Sequence, residues 1–137
     1  MKICVSAASN SLDSPIDPRF GRCPYFVIVD SETMQFEAVP NMASGATGGA
    51  GIQAAQTIAG KGVKVLMTGN VGPNAFQALS AAGIKIVTGA SGTVREVVEK
   101  YKRGELSETG APTVRGHFGM GIGRGSGRGR GDLGRLA

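Results

Sequence analysis

The sequence predicts one α/β domain built on a mixed sheet with helices on both faces. Three observations lead there. Strand-like and helix-like stretches follow one another as β-β-β-α-β-α-β-α. The first three strands are joined by loops and a hairpin, whereas the later ones need helical crossovers and so run parallel. A chain of 137 residues is also the size of a single domain.

Taken in order, residues 2–7 (Lys2 to Ala7) read as a short buried strand. Ala8 to Arg22 holds Asn10, Ser11, Asp13, Ser14, Pro15, Asp17, Pro18 and Gly21, which is loop chemistry throughout. So long a loop in a compact domain is often functional. Tyr25 to Asp30 is a second strand, apolar enough for burial on both faces. A turn at Asp30 to Thr33 leads into Met34 to Val39, whose alternation suits an edge strand ended by Pro40. Gly45 to Gly51 is a glycine-rich approach to a helix reaching about Gly60, with Ile52, Ala55, Ile58 and Ala59 as its apolar stripe. Val63 to Met67 is the next strand. Pro73 begins a second helix, at a position where its missing N–H costs nothing. Phe76, Leu79 and Ala82 are its expected packing face, and Gly83 closes it. After the strand Ile84 to Val87, Thr93-Val94-Arg95-Glu96 spells a capping box. Val94, Val97, Val98 and Tyr101 then fall on one helical face, with Glu96–Lys100 and Glu99–Arg103 as expected pairs on the other.

Composition sets bounds. The chain is 41% hydrophobic with no tryptophan, and its 23 glycines exceed ordinary usage. No apolar run approaches the ~20 residues that span a bilayer. The N-terminus does not read as a secretory signal, and Cys4 and Cys23 are too few for a disulfide framework or a zinc ribbon. A cytoplasmic, monomeric protein is expected. Residues 1–113 hold ten basic against nine acidic side chains, and residues 114–137 hold five arginines against one aspartate. The net charge of +5 is therefore mainly a property of the tail. Periodicity stops after Leu106, so the expected division is an α/β domain over 1–106 and a disordered Gly/Arg-rich tail over 107–137.

The most informative stretch is Asp17-Pro18-Arg19-Phe20-Gly21-Arg22-Cys23-Pro24, running directly into the strand Tyr25 to Asp30. Two prolines stiffen it and Gly21 permits a turn, so Arg19, Arg22 and Cys23 are presented in a preset arrangement. That is chemistry for an anion, with one thiol for a soft metal. With Arg22 beside it, Cys23 is a candidate for a lowered pKa and metal ligation. A structural role serves the sequence equally well.

This stretch resembles the motif of the dinitrogenase iron–molybdenum cofactor-binding family, small domains related to nitrogenase cofactor-assembly accessory proteins. The start Met1-Lys2-Ile3-Cys4-Val5-Ser6, Asn41, Gly48-Gly49-Ala50-Gly51, Gly69-Asn70-Val71-Gly72-Pro73-Asn74-Ala75 and Leu79-Ser80-Ala81-Ala82-Gly83-Ile84 fit it too. The similarity covers roughly Met1 to Leu106. It implies a ribonuclease H-like three-layer fold with a five-stranded sheet ordered 3-2-1-4-5, strand 2 antiparallel. Where nitrogenase-linked members often have His-Phe-Gly, this chain has Arg19-Phe20-Gly21. The resemblance therefore leads toward relatives outside nitrogen fixation, among them orange-coloured proteins of anaerobes that hold a molybdenum–copper sulfide cluster.

In a sheet of that order, three Gly/Asn/Ser/Thr-rich turns (residues 47–51, 69–74 and 89–93) lie at one edge, beside a topological switch point. Helix N-termini there offer N–H groups and partial positive charge to anions. Gly49-x-Gly51-x-x-Ala54 matches a dinucleotide fingerprint by letter, but no carboxylate follows about 20 residues on to hold a ribose. Clustered carboxylates for a two-metal nuclease and a nucleophile–base pair for a hydrolase are not legible either. The expectation is thus a non-catalytic carrier or assembly protein for an anionic molybdenum-containing metal–sulfur cluster, with copper or iron as further metals and with protein partners in cofactor assembly. Arg19, Phe20, Gly21, Arg22, Gly48, Gly49, Gly51, Asn70, Val71 and Gly72 are its candidate binding residues, with Cys23 as candidate metal ligand. The alternative is a nucleic-acid or protein adaptor acting through the Gly/Arg tail. His117 and Met120 in that tail are either accidental or extra soft ligands.

Overall fold

The computed structural model describes residues 1–46 and 48–113. The elements follow in the expected order: β1 (Lys2–Ala7), β2 (Tyr25–Asp30), β3 (Phe36–Pro40), α1 (Ala50–Ala59), β4 (Val65–Met67), α2 (Pro73–Ala81), β5 (Lys85–Val87) and α3 (Val94–Lys102). The sheet runs β3-β2-β1-β4-β5. β2 is antiparallel to both neighbours, and β1, β4 and β5 are parallel. The reason is the connections: a hairpin can only reverse the chain, while α1 and α2 carry it back to the same edge.

β1 and β2 are buried on both faces, so successive side chains feed two separate cores. Cys4, Phe26, Ile28 and Leu66 pack beneath α1 and α2 with Ala54, Ile58 and Leu79. Ile3, Val5, Val27, Val29 and Met67 pack beneath α3 with Val94, Val97 and Val98. Several local details depart from expectation. β3 begins at Phe36 because Met34 adopts φ 62° inside a turn closed by Met34 N–H to Asp30 O and Asp30 N–H to Gln35 O, both 2.8 Å. In α2 the buried residues are Ala75 and Leu79, while Ala82 is exposed. Arg103 pairs with Glu105 at 2.7 Å instead of Glu99, and the Glu96 carboxylate turns back to accept from Thr93 N–H at 2.8 Å.

The chain does not leave the domain at Leu106. Leu106 packs on the α3-side core. Beyond it, Thr109 N–H donates to Ile86 O at 2.6 Å, Thr109 Oγ1 accepts from Thr88 N–H at 3.0 Å, and Thr113 N–H donates to Val71 O at 2.9 Å. The boundary expected after residue 106 thus precedes a strap, residues 106–113, crossing the C-terminal ends of β5 and β4. It was not legible because its anchors are hydroxyl and backbone groups without periodicity. The expected tail disorder from 114 onward, and His117 and Met120, lie outside the described residues. No helix among the described residues is long and apolar enough to cross a membrane.

Candidate functional site

Where β1 and β4 part, the loop before β2 meets the starts of α1 and α2. Asn70 N–H donates to Pro18 O at 2.8 Å, and Arg19 forms a parallel bridge with Asn70. Below them Ser6 Oγ lies 2.6 Å from both Asp17 O and Thr68 Oγ1, a buried polar tie between the loop, β1 and β4. Buried Asn41 holds the other side of the loop: its Nδ2 donates to Gly21 O and Cys23 O at 3.1 and 2.9 Å. Gly21 sits so close to α1 that a Cβ there would stand 3.0 Å from Gly51 N, and one on Gly51 would stand 2.9 Å from the Ala75 Cβ. These contacts draw loop, α1 and α2 around a pocket of about 560 Å³.

Arg19, Phe20, Gly21 and Arg22 form one wall, Gly49 to Ile52 the second, and Asn70 with Gly72 to Ala75 the third. Of the candidate residues, eight come together here. Gly48 and Val71 are not among the lining residues: Val71 is buried in the core, and Gly48 is exposed one residue outside the wall. Phe20 is itself 2% exposed and packs on Phe26, so it forms the floor more than a contact surface. The third turn, 89–93, does not join the pocket. It serves the loop before β2: Gly92 O accepts from Ile16 N–H at 2.9 Å, and Thr93 bridges Pro15. Ala50, Ile52, Pro73, Asn74 and Ala75 were missed as site residues; their signal was position in the first turn of two helices converging on one spot.

The helix starts differ in a way that bears on chemistry. α3 is closed by its own capping box, and Val94 N–H and Arg95 N–H donate to Ser14 O and Leu12 O at 3.0 and 2.8 Å. α1 and α2 begin at Gly49 and Gly72, which have no side chain to cap them, and neither has an acidic residue in its first turn. Both therefore direct partial positive charge and N–H donors at the pocket.

The arginines are braced rather than loose. Asp17 accepts from Arg19 Nε at 3.1 Å, Arg19 Nη2 at 2.9 Å and Arg19 N–H at 2.9 Å. Arg22 Nη1 donates to the carbonyls of Ser44 and Ala46, tying the loop to the approach of α1. The Arg19 hydrogen bonds hold the Asp17 carboxyl below the usual carboxylate range. Its folded pKa is the lower one, so this pair contributes stability at pH above ~4 and loses it as pH falls through the folded value. Thermal unfolding from pH 6 to pH 3 should fall more steeply for the native chain than for Asp17→Asn; equal slopes would show that the pair is not linked to folding.

Of the two roles the sequence left open for Cys23, burial suits the structural one. Cys23 has no exposed surface, its Sγ donates to Phe20 O at 3.3 Å, and it is not in the pocket lining. Burial first, and the Asp17 charge second, push the thiol up to about 12. Arg22 does not lower it because that guanidinium is turned to the 44–46 carbonyls. Cys4 is likewise buried, with its thiol pushed up by burial. A thiol reagent at pH 8 should modify neither cysteine in the folded protein and both after denaturation; fast modification of Cys23 would contradict this placement. Among the described residues no group of three His, Cys, Asp or Glu is placed to hold a metal ion.

Comparison with known proteins fits this geometry. Residues 1–104 match the family model described as dinitrogenase iron-molybdenum cofactor. The apo form of the orange protein from Desulfovibrio gigas is similar in structure, with a TM-score of 0.81 and 46% identity over 82% of this chain and 96% of that one. An uncharacterized protein of Methanocaldococcus jannaschii is 30% identical over 111 residues, 79% of this chain and 91% of its own.

Proposed function

This chain belongs to the dinitrogenase iron-molybdenum cofactor family, and from that premise we propose that it is a small non-catalytic carrier of an anionic molybdenum-containing metal–sulfur cluster. The cargo, with copper or iron as its second metal, is taken up preformed during cofactor assembly and passed to a protein partner. The observation that carries this reading is the pair of glycine-started helices, α1 and α2, facing one pocket while α3 is fully capped. A multiply charged sulfide anion accepts N–H hydrogen bonds on every face and matches such a pocket without needing a protein thiolate.

Roles follow from position. N–H groups in the first turns of α1 (Gly51, Ile52) and α2 (Asn74, Ala75) donate. Arg19 and Arg22 set the field on the opposite wall, held by Asp17 and by the 44–46 carbonyls. Ile52, partly exposed above the floor that buried Phe20 forms, supplies apolar surface that excludes water and strengthens those interactions.

Anaerobic titration of the apo protein with tetrathiomolybdate, with and without Cu(I), tests the reading. Amide NMR shifts should concentrate at Gly21, Gly49, Gly51, Ile52, Asn74 and Ala75, and the Cys23→Ser protein should bind as the native chain does. Shifts confined to the exposed face of α3 would overturn it.

A further inference from the structure

Thr113 holds both peptide groups of Val71. Its N–H donates to Val71 O at 2.9 Å, and its Oγ1 accepts from Val71 N–H at 2.8 Å. Four residues earlier the strap makes a similar clip on the end of β5. There Thr109 N–H donates to Ile86 O at 2.6 Å and Thr109 Oγ1 accepts from Thr88 N–H at 3.0 Å. The Thr88 and Thr109 hydroxyls, 2.7 Å apart, complete it. Gly110, Ala111 and Pro112 join the two clips, and Pro112 fixes φ immediately before Thr113. The strap lies past residues 1–104, the span matched to the family model. From this double clip we propose that Thr113 is a positioning residue for the pocket, fixing the turn 69–72 and through it the start of α2. The inference rests on the carrier reading above and adds to it a support outside the matched span.

The turn needs an outside anchor at this point. Its first half is held by Asn70 N–H to Pro18 O and by Gly89 N–H to Gly69 O. Its second half runs into α2 with no capping side chain at Gly72, and Pro73 has no N–H to offer. The Val71 side chain is buried in the core beneath α1 and α2, which seats the residue but leaves its peptide groups to be paired. Thr113 supplies a partner for each. Hydrogen bonds are directional, so this clip fixes the tilt of the Val71 peptide planes as well as their position. Asn70 and Gly72 flank Val71 and line the pocket, and the donors Asn74 and Ala75 follow in the first turn of α2. A change of tilt at Val71 therefore re-aims the N–H groups of α2 relative to those of α1. Cargo held by both helix starts at once is sensitive to that angle.

The test uses the full chain, well below its unfolding temperature. Thr113→Val keeps shape and the backbone donor but removes the acceptor for Val71 N–H, whereas Thr113→Ser keeps that acceptor. In the apo protein, amide hydrogen exchange is followed at Phe76, whose N–H donates to Gly72 O at 2.9 Å in the first turn of α2. Exchange there should quicken about tenfold in Thr113→Val, with Thr68 N–H in the sheet unchanged, and return to the native rate in Thr113→Ser. Tetrathiomolybdate affinity should fall about tenfold in Thr113→Val and recover in Thr113→Ser. Thr109→Val loosens the clip on β5 and leaves Val71 paired, so it should lower Tm while Phe76 exchange and affinity stay native. Unchanged Phe76 exchange in Thr113→Val, or equal effects of the Thr109 and Thr113 variants, would overturn the positioning role. Native affinity in Thr113→Val would overturn it too and leave the carrier reading standing. Failure of the native chain to bind tetrathiomolybdate would overturn the carrier reading, and Phe76 exchange would then decide by itself whether Thr113 holds the turn.

Discussion

Gly69→Ala should destabilise the domain by about 2–3 kcal/mol, a fall in Tm of roughly 10–20 °C, and abolish cargo binding. A Cβ at this position would stand 2.5 Å from the Pro18 Cβ, 2.7 Å from the Pro18 Cα and 3.0 Å from the Pro18 O. Two of those three atoms are backbone, so no rotamer change relieves the overlap. The loop would have to move away from β4, breaking the Asn70 N–H to Pro18 O hydrogen bond and the Arg19–Asn70 bridge that form the pocket's corner. Gly60→Ala is the matched control. Gly60 has φ −67° and ψ −13°, and an added Cβ meets only ordinary contacts at 3.6 Å. That substitution should be neutral or stabilise by ~0.4–1 kcal/mol through the unfolded chain. If both variants unfold together in a thermal scan, the Pro18–Gly69 contact is not what seats the loop.

Asn74→Asp should move stability and binding in opposite directions. Asn74 is exposed, lies in the first turn of α2 and lines the pocket. The substitution keeps shape and adds one negative charge. At an uncapped helix start with no acidic residue in its first turn, a carboxylate stabilises by ~0.3–1 kcal/mol. The same charge opposes an anionic cargo: a unit pair near a protein surface interacts by about 4 kcal/mol at 4 Å, and greater distance and screening reduce this to ~1–3 kcal/mol. Affinity for tetrathiomolybdate should therefore fall about ten- to a hundredfold while Tm stays level or rises. Unchanged affinity would move the cargo away from the starts of α1 and α2.

How far each feature was legible depends on how local its physics is. The capping box at Thr93 and Glu96 involves residues three apart, and α3 begins at Val94 as expected. Tyr25 to Asp30 is apolar at successive positions and is a strand over that span. The start of β3 was misplaced because a positive φ at Met34 is imposed by the turn and not by any preference of methionine. In the site, the motifs located the loop and both glycine turns. They did not reveal that Arg19 is bound to Asp17, or that Arg22 is spent on carbonyls 22 and 24 residues away.

Read alone, the sequence determined the element order, the mixed sheet, and a stiff loop before β2 carrying two arginines and a glycine, because apolar periodicity, proline and glycine act within a few residues of themselves. Tertiary structure alone decided that Cys23 is a buried, protonated thiol, that the turn at 89–93 packs against the loop, and that Thr113 is hydrogen-bonded to Val71 beside the pocket. Burial, hydrogen-bond partners and electric field at a residue are set by groups distant in the chain, and only the closed sheet brings those groups together.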